Sequence, residues 1–139
     1  MRVVVDTNVL VYAHDADAGV KHELAKSRVS ELWAAGTGVI STQVLQELYV
    51  TITRKIAVPV DRSTARELLR TYSAWLAAPT DVDLVVRASE LEEVYRLSFW
   101  DALIITAASH ARATALLSED LNDGQIIEGV RIENPFKGA

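Results

Sequence analysis

An α/β fold, with a mainly parallel sheet of four or five strands between layers of helices, is predicted by three features of the sequence. The run Arg2-Val3-Val4-Val5 is apolar and β-branched beyond its first residue, and reads as a strand buried on both faces. Ala113 to Leu117 is a second short apolar run, and both runs end in acids. Between them the periodicity is helical, so strands alternate with helices.

The first strand stops at Asp6-Thr7-Asn8, whose oxygens suit the start of a short helix from Val9 to about Ala13. His14, Asp15, Asp17 and Gly19 form a polar connection. Lys21 to Ala35 is predicted as an amphipathic helix with Leu24, Ala25, Val29, Leu32 and Trp33 at helical spacing. Gly36 and Gly38 end it, and Val39-Ile40 is a short strand. Ser41 is placed to cap a helix from Thr42 to about Lys55, with Val44, Leu45, Leu48, Tyr49 and Ile52 as its apolar stripe. After Pro59 and Asp61 a helix runs from Arg62 to about Ala77, turning Ala65, Leu68, Leu69, Tyr72 and Leu76 inward. Pro79 ends that helix, and another is predicted from about Leu84 to Leu97 with Val85, Ala88, Leu91, Val94 and Tyr95 inside. Ser98 begins a helix that is apolar almost all round, hence buried. Asp123-Gly124 reads as a turn, and Ile126-Ile127 and Val130 to Ile132 as short terminal strands.

The chain of 139 residues, read here as one domain over 1–139, is long enough to bury a substantial core. No uncharged apolar run approaches the roughly 18 residues a membrane span needs, and Asp6 interrupts the only apolar opening a secretory signal could use. The absence of cysteine excludes disulfides, zinc–thiolate sites and thiol nucleophiles, and fits a reducing cytoplasm. Net charge is −5, whereas proteins that hold nucleic acid by phosphate neutralisation alone are usually basic. Any nucleic-acid activity must therefore come from a local basic surface, from bound metal, or from both.

The acids carry the functional signal. Asp6 stands at the carboxyl end of a central strand, where open α/β sheets bind ligands, and reads equally as a cap for the next helix. Asp101, in Ser98-Phe99-Trp100-Asp101, fits a capping box, yet an ionised carboxylate beside so much apolar surface needs a partner. Glu119 and Asp120 end the second apolar strand and emerge at the same edge as Asp6; with Asp123 they also fit an ordinary polar turn. Glu47 lies off the Leu45/Leu48/Ile52 stripe, a position where an acid is ordinarily solvated. If Asp6, Asp101 and Asp120 meet, unit charges about 5 Å apart repel by roughly 3 kcal/mol per pair at an effective dielectric of 20. Either their pKa values rise or a cation binds. Oxygen-only ligands select a hard ion, Mg²⁺ or Mn²⁺, and the chemistry such a site serves is phosphodiester hydrolysis.

Four stretches then resemble the motifs of the PIN-domain ribonucleases: Val4-Val5-Asp6-Thr7-Asn8-Val9-Leu10, Gln46-Glu47-Leu48, Trp100-Asp101-Ala102-Leu103-Ile104, and Leu117-Ser118-Glu119-Asp120-Leu121-Asn122-Asp123-Gly124. The closing Ile127 to Phe136 is similar to the tail of VapC-type toxins, the nuclease halves of toxin–antitoxin pairs. The resemblance covers nearly the whole chain in order. It implies a PIN-like α/β/α sandwich, Mg²⁺- or Mn²⁺-dependent endoribonuclease activity, homodimerisation, and inhibition by a small antitoxin occupying the active site. Carried over by residue, it makes Asp6, Glu47, Asp101 and Asp120 the catalytic and metal-binding acids, and the promotion of Glu47 rests on the resemblance alone. Thr7, Asn8 and Ser118 become supporting residues, with Asp123 a supplementary acid nearby. The mechanism expected is in-line attack on an RNA phosphorus by metal-activated water, leaving 5′-phosphate and 3′-hydroxyl ends.

Arg62, Arg66 and Arg70, four apart on one helix, and Arg54-Lys55 are candidate RNA phosphate contacts or else a solvated, antitoxin or dimer face. Trp33, Trp75 and Trp100 are read as core or interface anchors rather than base-stacking platforms. His14, His22 and His110 have no ligand-set spacing. Two alternatives compete: an aspartyl-phosphate phosphatase, which wants a second acid where Asn8 stands, and a catalytically inactive partner-binding module.

Overall fold

Val3, Val4 and Val5 are buried in the middle of the sheet, as an all-apolar β-branched run requires. The computed structural model describes residues 1–138. Its strands are β1 (Arg2–Val5), β2 (Gly38–Ser41), β3 (Leu76–Ala78), β4 (Ala113–Leu117), β5 (Ile126–Ile127) and β6 (Val130–Glu133). They form one six-stranded sheet in the order β3-β2-β1-β4-β6-β5, parallel throughout except for the β5–β6 pair. Helices α1 (Thr7–His14), α2 (Val20–Ala35), α3 (Thr42–Arg54), α4 (Arg62–Tyr72), α5 (Val82–Tyr95) and α6 (Phe99–His110) flank it. Among the described residues no helix is long and apolar enough to cross a membrane.

The sheet has six strands rather than four or five, and β3 is absent from the sequence expectation. The helix expected to reach Ala77 stops at Tyr72, passes through a 3-10 turn over Ser73–Trp75, and continues as β3 on the edge of β2. Three residues are too few to display a period of two, and two of them are alanine, which carries no strand signal. Trp75 fixes the turn. It is buried, with ring centroids 5.0 Å from Trp33 and 5.4 Å from Tyr72, and its indole lies against Gly38, where any Cβ would come within 2.6 Å of the ring. Leu76, expected inside, is exposed as a result.

Further corrections concern helix faces and caps. In α5 the buried side is Leu84, Ala88 and Leu91, while Val85, Val94 and Tyr95 are exposed. In α2, Ala25, Val29 and Leu32 face in, leaving Leu24 and Trp33 partly in water. Ser41 does not cap α3 with its side chain; its Oγ is buried and lacks a hydrogen-bond partner. Helix α1 starts two residues before the expected Val9, at Thr7, because Asp6 accepts from the Thr7 N–H.

The register of the central strands sets up the site. Val5 of β1 pairs with Leu117 of β4, and the Asp6 N–H donates to the Leu117 carbonyl at 3.0 Å. From β1 the sheet grows through β2 to β3 on one side and through β4 to β6 on the other. The strand order therefore reverses between β1 and β4, and the crevice outside the carboxyl ends of these strands is where open α/β sheets receive ligands.

Candidate active site

Asp6 follows β1, Ser118 to Asp120 follow β4, and α3, which carries Glu47, follows β2, so three parallel strands deliver their next residues to the same edge. Helix α6 brings Asp101 to that edge in its first turn. A cleft of about 590 Å³ opens there, and Asp6, Glu47, Asp101 and Asp120 all line it together with Thr7 and Asn8. Lys55 is the one cationic side chain in the lining.

Short polar residues wire three of these acids together. Thr7 donates its backbone N–H to Asp6 Oδ1 at 2.7 Å and its hydroxyl to Glu47 Oε1 at 2.8 Å. Ser118, fully buried, donates its hydroxyl to Asp6 Oδ2 at 2.9 Å and accepts the Asp120 N–H at 3.2 Å. Asn8 Nδ2 donates to Asp120 Oδ2 at 3.0 Å. Thr7, Asn8 and Ser118 thus each hold one or two of the carboxylates in place.

The electrostatics reflect this crowding. Burial pushes the Asp6 carboxyl up to about 6, against the opposing bonds from Ser118 and Thr7, and the nearby charges of Glu47 and Asp120 push the same way. Asp120 is also raised, first by burial and then by Glu119 and Asp101. Among the described residues no three acidic or histidine side chains already converge on one ion-sized point. What the cleft offers is a set of coupled oxygen donors, with neither nitrogen nor sulfur ligands among them. That donor chemistry suits a hard divalent cation bound through one or two carboxylates, with water completing its shell.

Asp101 differs from its expected setting. Ser98 caps α6 by accepting the Asp101 N–H at 3.1 Å, but the Asp101 carboxylate makes no return bond among the described residues and is only part-buried. It faces the open cleft, not an apolar interior that demands a partner. Glu119 is turned away from the cleft lining: Tyr12 donates to it at 2.6 Å and Lys21 at 2.8 Å, and these bonds outweigh burial and hold its pKa below the usual value. Asp123 is also elsewhere. It accepts the Asn134 N–H at 2.8 Å and pairs with Lys137 at 3.1 Å, tying down the C-terminal segment instead of lining the cleft.

Arg62, Arg66 and Arg70 are exposed on α4 and do not line the cleft. His14 pairs with the Tyr72 hydroxyl at 2.6 Å, His22 donates to the Tyr12 carbonyl at 2.8 Å, and neither they nor His110 reach the site. Sequence reasoning singles out neither Gln43 nor a site role for Trp100, yet both line the cleft. A tryptophan directly before the motif acid is the available signal for Trp100; nothing in the sequence distinguishes Gln43.

Solved structures with the same fold include a toxin–antitoxin complex from Klebsiella pneumoniae (TM-score 0.67, 21% identity, covering 96% of this chain and 98% of that one). Another is VapC20 of Mycobacterium tuberculosis, described as a sarcin-ricin loop cleaving toxin (TM-score 0.64, 21% identity, 85% and 91% covered). A third is DNA-bound VapBC from Salmonella typhimurium (TM-score 0.66, 17% identity, 97% and 98% covered). No significant match is found among curated proteins. The family model of the PIN domain matches residues 3–123, a span that contains every acid of the cleft. By that match the chain belongs to the PIN domain family.

Proposed function

We propose that this chain is a metal-dependent endoribonuclease and, within its family, a VapC-type toxin of a type II toxin–antitoxin pair. The observation that carries the reading is the cleft at the β1/β4 reversal, where Asp6, Glu47, Asp101 and Asp120 are brought together and Asp6 is driven up to about 6. Support for the toxin assignment comes from the fold shared with toxin–antitoxin complexes and with a toxin described as cleaving the sarcin-ricin loop. The remainder of the reading is that the whole chain works as one domain, acts as a homodimer in the cytoplasm, and is silenced by a small antitoxin seated in the cleft.

In this reading Asp6, Asp101 and Asp120 would hold Mg²⁺ or Mn²⁺, with Glu47 binding directly or through water. The ion, when bound, supplies a water acidic enough to attack phosphorus at neutral pH and charge to stabilise the leaving oxygen. The chain's own residues do the positioning. Thr7 fixes Glu47 relative to Asp6, Ser118 couples Asp6 to the Asp120 backbone, and Asn8 aims the Asp120 carboxylate. Such hydrogen bonds hold ligands in orientation and sustain their basicity. Lys55 is placed to take a phosphate oxygen of the RNA as it enters the cleft. Asp123 serves the C-terminal segment in this scheme, and the α4 arginines act outside the cleft, on more distant phosphates or on the antitoxin.

The phosphatase alternative is disfavoured by a specific feature: the position two residues after Asp6, where that chemistry wants a second acid, is Asn8, whose amide is engaged with Asp120. The test is cleavage of a mixed RNA pool with Mg²⁺ or Mn²⁺ against EDTA. Cleavage is expected only with metal, leaving 5′-phosphate ends, and Asp101→Asn is expected to lower the rate at least about a hundredfold without unfolding the protein. An Asp101→Asn protein that cuts RNA at the wild-type rate refutes the assignment. Hydrolysis of small phosphate monoesters instead would favour the phosphatase, and no hydrolysis of either substrate would favour a partner-binding module.

A further inference from the structure

We infer that Trp100 and Gln43 form a nucleobase subsite on the rim of the carboxylate cleft, where an unpaired base of the RNA is stacked and read; the inference rests on the nuclease reading above. Trp100 is 63% exposed although residues 102–108 of the same helix are all buried. It is therefore not a core anchor, the first of the two roles the sequence suggests for it, core or interface. Its ring stands edge-to-face with Phe99 at 5.2 Å and lines the cleft next to Asp101.

Gln43 supplies the independent observation. It is only 6% exposed and lines the same cleft. Its Nε2 donates to the Trp100 carbonyl at 3.2 Å, and because a carbonyl can only accept, that bond fixes which way the amide points. The other end of the amide, Oε1, is buried and has no hydrogen-bond partner among the described residues. A buried acceptor left unpaired is costly and uncommon, and a donor arriving with a ligand would satisfy it. One residue thus aligns the backbone of Trp100 and holds an unpaired acceptor just under the surface of the cleft wall, which a small shift of the side chain on binding would bring to a base.

The pair matches what a single-stranded base offers, a π face for stacking and an edge N–H for a hydrogen bond. An amide acceptor favours bases with an exocyclic amine, such as cytosine N4 or adenine N6. Charge points the same way. The protein carries a net −5 and the cleft presents four carboxylates against Lys55, so phosphate neutralisation supplies little affinity and contacts to bases must supply the rest.

The test uses the full chain carrying Asp101→Asn, so that RNA binds without being cut, with fluorescence anisotropy of labelled hexamers in Mg²⁺. The probes are hexacytidylate, hexauridylate and an abasic ribose-phosphate hexamer. Hexacytidylate is expected to bind about tenfold or more tightly than the abasic chain. Adding Trp100→Ala is expected to weaken hexacytidylate binding roughly five- to a hundredfold, with Trp100→Phe intermediate and the abasic chain little affected. Adding Gln43→Met is expected to bring the cytidine-to-uridine preference close to one. Unchanged hexacytidylate binding in the Trp100→Ala protein overturns the subsite, and so does equal binding of base-bearing and abasic chains by the unsubstituted background. An unchanged cytidine preference in the Gln43→Met protein overturns the role of the amide. The two readings also separate. A protein that grips bases through Trp100 yet never cuts RNA loses the nuclease assignment, while a nuclease whose KM is indifferent to Trp100→Ala loses the subsite.

Discussion

Replacing Asp6 by asparagine is expected to abolish the loss of stability that the wild type suffers between pH 4 and neutrality, while removing its activity. The carboxyl is pushed from an ordinary 3.8 to about 6 by burial first and by Glu47 and Asp120 second. A folded-state pKa above the unfolded value means the unfolded chain releases this proton earlier. Stability is therefore undiminished below about pH 4, falls as pH rises from about 4 to 6, and stays lower above that. The full shift corresponds to about 3 kcal/mol at pH 7 and above. Asparagine keeps the Thr7 bond through Oδ1, but its Nδ2 can only donate to Ser118 Oγ, so the buried Ser118 hydroxyl loses its acceptor at a cost of about 1–3 kcal/mol. That cost does not depend on the Asp6 titration, so what the substitution isolates is the change of about 3 kcal/mol in the stability difference between pH 4 and pH 8.

For a domain of this size that change moves the difference in Tm by about 10 °C. The assay is thermal unfolding of wild type and Asp6→Asn in EDTA across pH 4 to 8. The Tm of Asp6→Asn relative to wild type is expected to climb by that amount between pH 4 and pH 8, over a fixed offset from the lost Ser118 acceptor. The climb should survive high salt, because desolvation, which salt does not screen, outranks the two charges as its cause. An Asp6→Asn protein whose Tm relative to wild type is the same at pH 4 and pH 8 refutes the argument.

Adding Mg²⁺ or Mn²⁺ at a hundred times its dissociation constant should stabilise the wild type by about 2.7 kcal/mol, and thermal shift should show most of that lost in Asp6→Asn. Thr7→Val keeps the shape of the side chain but removes the hydroxyl donated to Glu47, so kcat should fall about ten- to a hundredfold, with Thr7→Ser restoring it. Steady-state kinetics on a fixed RNA would decide this, and an unchanged kcat would mean that Glu47 needs no positioning. Gly38→Ala presses a methyl group into the Trp75 ring and should cost about 1–3 kcal/mol in denaturant unfolding. Trp75→Phe should relieve part of that cost, and additive losses in the double variant would contradict the proposed clash.

How much of the fold and the site is legible in the sequence depends on the makeup of each signal. The valine run of β1 and the apolar run of β4 announce buried strands because nearly every position in them is apolar, and a parallel pair of such strands brings the residues after each to a shared edge. Position alone therefore unites Asp6 with Asp120. Strand β3 is invisible because Leu-Ala-Ala is too short and too weak to outweigh the helix before it. The stripe of α5 is ambiguous because valines occur on both of its sides, and composition cannot say which side the sheet will cover. Glu47 cannot be found from its own helix, where it is an exposed acid like any other. Only the family resemblance brings it forward, and the structure adds its bond to Thr7.

The division between adjacent residues is more instructive than either success or failure. Glu119 and Asp120 are chemically alike and consecutive, yet Lys21 and Tyr12 draw one toward α1 and α2 while Asn8 holds the other at the cleft. Trp100 and Asp101 are likewise consecutive, and the apolar body of the helix suggests burial for both, although they occupy its first turn. In a first turn, side chains lie at the end of the sheet and not beneath it, so burial inferred from the body of α6 does not extend to its beginning. At α1 and α3 the first-turn residues Thr7 and Gln43 are buried and nevertheless line the cleft. In a parallel α/β sheet the chemistry gathers at these helix starts, because the strand ends point there and the backbone N–H groups are not yet committed. Residues in the first turn of a helix that starts at the carboxyl edge of the sheet therefore carry functional weight that hydrophobic periodicity assigns to the core.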